Sequence, residues 1–299
     1  MVLIFPAGKP ENNLHKTLNC GCKINLRLKV TGKRPDKLHE LSSLFLFLEH
    51  PGDILNFSIT DKCGIFLETP GFPELAGENN LVCRSAELFA RTAGITPCWK
   101  IILEKNVPVA AGLGGGSADA AGILSLLNDV YHAFSPEKLC ELAFSIGADV
   151  PFFLNRRSAW VSGAGEKFEF PEKIPQIPEL LIVNPGFPVS AKWAYTHLVP
   201  ELIGQDDPEL KAAFASGNIK CWQEFCRNDL APALFEKFPL LTILKEHLLS
   251  CGASAVQVSG SGSSLFALFE SGAEENARKL RDKFSTMNNM RIFAGGKEW

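Results

Sequence analysis

Polar and apolar residues alternate over residues 18–30, with Ile24, Leu26, Leu28 and Val30 on one side and Lys23 and Asn25 on the other. That period of two predicts a half-buried strand whose polar face meets solvent. Residues 41–48 are apolar enough for an interior strand, and residues 54–59 alternate again after the turn at Pro51, Gly52 and Asp53. The period then lengthens. Asn79 or Asn80 caps a helix with Leu81, Val82, Ala86, Leu88 and Phe89 as its buried stripe. Residues 100–104 read as a strand and residues 123–127 as part of a helix. Ser135 and Pro136 open a further helix that ends at Gly147, and residues 150–154 predict an apolar strand directly after Asp149.

Beyond residue 180 the pattern gives a strand at 180–184 and helical segments at 190–198, 219–225 and 239–249. Two strand-like runs then flank Ser259-Gly260-Ser261-Gly262-Ser263, and an amphipathic helix covers 273–284. This order predicts a small α+β sandwich. Gly163-Ala164-Gly165 and the prolines of 171–178 interrupt the pattern, which places the expected domains at 1–165 and 166–299. The first fourteen residues, with two prolines and two asparagines, predict an irregular arm.

With 46% hydrophobic and 21% charged residues, 299 residues suffice for a sizeable folded core. Thirty basic residues against thirty-three acidic ones leave no surplus charge to hold a polyanion, which argues against a nucleic-acid partner. No apolar run is long enough to span a membrane, and the N-terminus lacks the layout of a secretory signal, so a cytoplasmic protein is expected. The nine cysteines include no Cys-x-x-Cys pair, which favours reduced thiols over structural zinc.

Candidate chemistry concentrates at residues 107–122, where Gly112-Leu113-Gly114-Gly115-Gly116-Ser117 lies between a strand and a helix. Glycines, Gly115 among them, can take φ > 0 and let backbone N–H groups converge. The first N–H groups of the next helix are unpaired and sit at the positive end of its dipole. The segment outlines an anion cradle, or more plainly a tight strand-to-helix connection. It is neither a Walker A loop, which ends in Gly-Lys-Ser/Thr, nor a Rossmann fingerprint in context. Asp149 can accept turn N–H groups or the proton of a substrate hydroxyl. His39, ending the polar stretch 31–40, fits either a surface or a functional role.

Lys23-Ile24-Asn25-Leu26, residues 108–118, Gly147-Ala148-Asp149-Val150-Pro151 and Ser259-Gly260-Ser261-Gly262-Ser263 together resemble the motifs of the GHMP small-molecule kinases. Thr31-Gly32-Lys33-Arg34-Pro35-Asp36 with His39-Glu40-Leu41, Gly77-Glu78-Asn79-Asn80-Leu81 and Asn184-Pro185-Gly186 extend the resemblance over nearly the whole chain. It implies an α+β, two-domain GHMP kinase fold, with a ribosomal-protein-like N-terminal domain and a ferredoxin-like C-terminal α/β sandwich. ATP is the implied co-substrate, with Mg2+. Its phosphates would lie on Pro108, Val109, Ala110, Ala111, Gly112, Leu113, Gly114, Gly115, Gly116, Ser117 and Ala118, and its adenine against Lys105. Lys23 and Asp149 match the catalytic pair, and Ser117 is a candidate near the metal.

The implied acceptor is a small molecule carrying a cytidine diphosphate group. His39 would read the base, Phe187 would stack on it, and Asn25 would hold the far end. Many members have Gly-Tyr-His where this chain has Lys37-Leu38-His39, so one stacking aromatic is missing. A sugar, homoserine or mevalonate acceptor, or a nucleotide-binding protein without turnover, are the alternatives. Either a monomer or a homodimer is compatible with the sequence.

Overall fold

The computed structural model describes residues 14–36 and 38–299. The predicted N-terminal arm, apart from Leu14, and Lys37 lie outside the described residues. The chain forms two compact units, each discontinuous in sequence: Met1–Gly21, Gly52–Val107 and Gly115–Arg156 make the first, and Cys22–Pro51, Pro108–Gly114 and Arg157–Trp299 the second. The compact units thus do not follow one cut of the chain near residue 165.

In the first unit, strands β1 (His15–Asn19), β4 (Ile54–Ile59), β6 (Cys98–Glu104) and β5 (Gly64–Glu68) form a sheet in the order β1-β4-β6-β5, with only β5 and β6 parallel. Helices α1 (Leu81–Ala93), α2 (Gly115–Tyr131), α3 (Pro136–Ile146) and α4 (Val150–Asn155) complete it. The cap of α1 is Asn80, whose side chain accepts from Val82 N at 2.8 Å, and Gly94 ends the helix in the left-handed region at φ 67°. Residues 118–124 of α2 are all buried, as suits a helix enclosed on most sides. Gly122 permits its approach to β1, since a Cβ there would meet Cys20 Sγ at 2.8 Å and Leu18 Cδ2 at 3.2 Å. Trp99 of β6 donates to the Tyr131 hydroxyl at 2.8 Å and tilts against Phe57, joining sheet to helix.

The second unit holds two antiparallel sheets. One has the order β2 (Cys22–Lys33), β3 (His39–Leu48), β7 (Ala159–Gly163), β8 (Lys167–Glu169). The other has the order β10 (Ala255–Val258), β11 (Leu265–Phe269), β9 (Glu179–Asn184), β12 (Arg291–Ala294), β13 (Lys297–Glu298). Helices α5 (Ala191–Thr196), α6 (Pro208–Ser216), α7 (Trp222–Phe225), α8 (Ala231–Lys237), α9 (Pro239–Ser250) and α10 (Ala273–Lys283) accompany them. Leu234, Leu244, Leu248 and Leu280 from the helices share one core with Leu181, Val183, Val256, Val258, Leu265 and Ile292 from the second sheet, and Leu28 and Val30 of β2 belong to the same cluster.

Three sequence expectations are corrected. The strand predicted over 18–30 is two strands, because Gly21 turns the backbone at φ 69° and β1 and β2 join different sheets. Residues 150–154 form α4 and not a strand, with Pro151 in its first turn, where a missing N–H costs nothing. The helix expected at 219–225 is only the single turn of α7.

Asn80 offers a test of the helix reading. Asn80→Ala removes the cap and the bond from Asn80 Nδ2 to Leu75 O, so stability should fall by about 1 kcal/mol. A thermal melt should register a loss of roughly 2–4 °C.

Candidate active site

Residues 110–114 run through the left-handed region at Ala110 (φ 51°), Gly112 (79°) and Gly114 (72°). Four successive carbonyls there accept hydrogen bonds from other segments of the same unit. Ala110 O accepts from Val189 N at 3.2 Å, Ala111 O from Ser264 N at 3.1 Å, Gly112 O from Ser259 Oγ at 2.9 Å and Leu113 O from Lys23 N at 2.9 Å. Among the described hydrogen bonds, none is donated by an N–H of residues 110–114. A run of bound carbonyls and uncommitted donors is what an anion cradle requires. A Cβ on Gly112 would collide with the Ser259 carbonyl oxygen, so this position admits only glycine. Gly115 and Gly116 depart from the expected positive φ, because both already belong to α2. Gly115 is restricted by space instead: a Cβ would lie 3.0 Å from Val107 and 3.2 Å from Asp53 Oδ2.

The polar face of β2 is not solvated. Lys23 is only 5% exposed and Asn25 2%. The Lys23 ammonium donates to Asn25 Oδ1 and lies 4.7 Å over the Phe45 ring. Asn25 Nδ2 donates to Ser43 Oγ at 3.0 Å, and its backbone N–H reaches Ser259 Oγ at 3.2 Å. Ser259 therefore serves both the glycine loop and Asn25, a contact that no sequence spacing announces; the serine-glycine composition of 259–264 is its only trace. Asp149 is the residue before α4, and its side chain makes no capping bond to that helix.

Lys105 is held by two carboxylates that the motif reading did not include. Its ammonium is clasped by Asp53 and by Asp119 Oδ2, the latter at 2.7 Å, while Asp53 Oδ1 accepts from Asn106 N and Val107 N. Burial works against the ammonium, but Asp119 and Asp53 outweigh it and raise the lysine pKa. Two carboxylates facing one cation cannot both be fully neutralised. Burial first, and then Asp53, push the Asp119 carboxyl up to about 7 against the pull of Lys105, and Asp119 Oδ1 has no hydrogen-bond partner among the described residues.

His39 begins β3 opposite Lys33. It stacks on Tyr195 with ring centroids 5.3 Å apart and planes at 21°. Both border a cavity of about 890 Å³ with Lys33, Leu38, Lys192 and Ile203, a size that suits a small-molecule ligand. Burial, helped by Lys33, lowers the His39 pKa and favours the neutral ring. Phe187 does not line this cavity: its ring packs 4.9 Å from Phe238 against the core. The aromatic partner of His39 is Tyr195, four residues into a helix that the motif reading passed over.

This α+β architecture, with a glycine loop between strand and helix, is that of the GHMP small-molecule kinases. The GHMP kinases N terminal domain matches residues 80–157 and the GHMP kinases C terminal domain residues 210–286, and the chain belongs to this family. The chain is 37% identical to the 4-diphosphocytidyl-2-C-methyl-D-erythritol kinase of Syntrophotalea carbinolica, over 91% of its own length and 95% of that protein's. It is 40% identical to the protein of the same name in Nitratidesulfovibrio vulgaris, covering 85% and 90%. A crystal structure of 4-(cytidine 5'-diphospho)-2C-methyl-D-erythritol kinase superposes with a TM-score of 0.78 at 32% identity, over 93% of this chain and 98% of that one. Homoserine kinase from Cytophaga hutchinsonii shares the fold, with a TM-score of 0.71 at 20% identity over 98% and 96% of the two chains.

The Asp119 site generates a pH prediction. Unfolded, its carboxyl releases its proton near the ordinary 3.8, whereas the folded protein keeps it up to about 7. The folded state therefore binds the extra proton between those limits, and stability falls as pH rises through that window. Thermal melts should show the Tm declining from about pH 4 to about pH 7, and Asp119→Asn should flatten that slope. An unchanged slope in the variant would assign the proton to another group.

Proposed function

We propose that this chain transfers the γ-phosphoryl group of ATP to the 2-hydroxyl of 4-diphosphocytidyl-2-C-methyl-D-erythritol, a step of non-mevalonate isoprenoid biosynthesis in the cytoplasm. The observation that carries the reading is the similarity to relatives of that name along nearly the whole chain. The cavity beside His39 and Tyr195 supports it, since a neutral imidazole and a phenol ring suit an uncharged base. The two family matches fall on either side of residue 165, which supports domains at 1–165 and 166–299.

The N–H groups of residues 110–118 are the proposed phosphate donors. Lys105 would meet adenine through its stem or backbone, because its ammonium is committed to Asp53 and Asp119. In the transfer, the acceptor oxygen bonds to the γ-phosphorus as the bond to the bridging oxygen breaks, and the hydroxyl proton must leave. Asp149 is the proposed group that orients or accepts that proton, and Lys23 the cation that offsets the developing charge. Asn25, held by Ser43, would fix the erythritol end. Tyr195 replaces Phe187 as the proposed stacking ring. Mg2+ would accompany ATP. Among the described residues no three His, Cys, Asp or Glu side chains are grouped to hold an ion, so no step is assigned to it.

An ATP-consumption assay with a panel of alcohols tests the reading: turnover of the cytidyl compound is expected, and turnover of homoserine, mevalonate or a sugar alone would displace it. Asp149→Asn should lower kcat on the order of 10²–10⁴-fold with ATP affinity nearly unchanged. Tyr195→Ala should raise the acceptor KM by roughly 5- to 150-fold, as loss of about 1–3 kcal/mol of base stacking requires.

A further inference from the structure

Arg27 lies on β2 just past a register shift between Asn25 and Arg27 in its pairing with β3. Its side chain is buried, and none of the motifs quoted above uses it. The guanidinium donates to Asp206 Oδ1 from Nη2 at 2.6 Å and from Nε at 3.3 Å, and Nη1 donates to Phe225 O at 3.1 Å. The other Asp206 oxygen accepts from Ser42 Oγ at 2.6 Å. Burial acts to raise the Asp206 carboxyl, and the bonds from Arg27 and Ser42 outweigh it and hold it below the usual value.

Asp206 sits in a stretch with little backbone support of its own. Residues 203–207 form neither helix nor strand; before them is the 3₁₀ turn Pro200–Leu202. What fastens this stretch to β2 is Gly204 N to Val30 O at 3.1 Å, the Lys29 ammonium to Leu202 O, and the Arg27–Asp206–Ser42 network. The same stretch supplies Pro200 and Ile203 to the cavity that holds His39 and Tyr195. A planar fork bound to one carboxylate oxygen, with the second oxygen tied to another strand, fixes position in a way that a single flexible contact does not.

We propose that Arg27 and Asp206 are positioning residues for the acceptor site: they hold the 199–206 wall of the cavity at the distance the cytidyl group requires. The proposal rests on the acceptor reading above. It adds a determinant of acceptor affinity that touches no reacting atom.

Steady-state kinetics on Arg27→Met, Arg27→Lys and Asp206→Asn, with hydrogen exchange of the peptide covering 199–207, test it. Arg27→Met should raise the acceptor KM about tenfold while the ATP KM and kcat stay within about twofold, the pattern of lost binding without lost chemistry. Exchange in 199–207 should quicken. Arg27→Lys, which keeps the charge without the fork, should fall between wild type and Arg27→Met. An unchanged acceptor KM, or an ATP KM and kcat that shift with it, overturns the proposal. If Arg27→Met does not fold, Asp206→Asn, which keeps the volume and the Ser42 contact, gives the same two readings. If wild type leaves the cytidyl compound untouched, the acceptor reading fails by itself, and undiminished protection of 199–207 in the variants then overturns the positioning role independently.

Discussion

A cation on a strand buried on both faces must find its partners inside the protein, because an unpaired charge there costs several kcal/mol. Strand β2 carries three such cations, Lys23, Arg27 and Lys29, each with 6% exposure or less. Lys23 is met within its own sheet, by Asn25 and the Phe45 ring. The other two are met from far along the chain: Arg27 by Asp206 and Phe225 O, Lys29 by Asp229 at 3.3 Å and by Leu202 O. Asp229 is itself fully buried and also accepts from Val30 N and Arg227. The need to satisfy β2 thus ties residues 202–229 to that strand within the second unit. A strand of apolar residues would have left that path undetermined.

The glycine loop depends on the same strand. Lys23 contributes its backbone N–H to Leu113 O while its side chain holds Asn25, and Ser259 bonds to both Gly112 O and the Asn25 N–H. The two glycine-serine stretches of the chain are therefore joined: Ser264 N donates to Ala111 O and Ser259 Oγ to Gly112 O. Close backbone approach is what the glycines provide, and at Gly112 no side chain could replace it. The left-handed turn at Ala110, unusual for a residue with a Cβ, is steadied by Val189 on its carbonyl.

Around the cavity, local pattern and three-dimensional neighbourhood disagree in instructive ways. Phe187 follows Asn184-Pro185-Gly186 and stood out as the nearest aromatic to a recognisable motif, yet its ring is drawn into the core by Phe238. Tyr195 has no motif around it and faces His39 because about one turn of α5 carries it there. Leu38, 54% exposed at the tip of the β2–β3 hairpin, stands where an aromatic is common in the family. Tyr195, stacked on His39, supplies the phenol ring among the residues that line the cavity.

The sequence by itself determined the elements whose signals are local. The Asn80 and Ser135 caps, the α1 stripe, the interior strand β3 and the glycine loop follow from capping chemistry, periodicity and the lack of a Cβ, and the ordered motifs sufficed for the GHMP kinase family. Tertiary structure decided everything that depends on partners distant in the chain. Residues 150–154 read as a strand because a short apolar run has no period to betray a helix. The polar side of β2 read as solvated because alternation records only that two faces differ, and burial of the second face is set by residues 202–229. The pairing of the Lys105 ammonium with Asp53 and Asp119 has no trace in the sequence, because a lone lysine gives no sign of carboxylates that only folding brings to it.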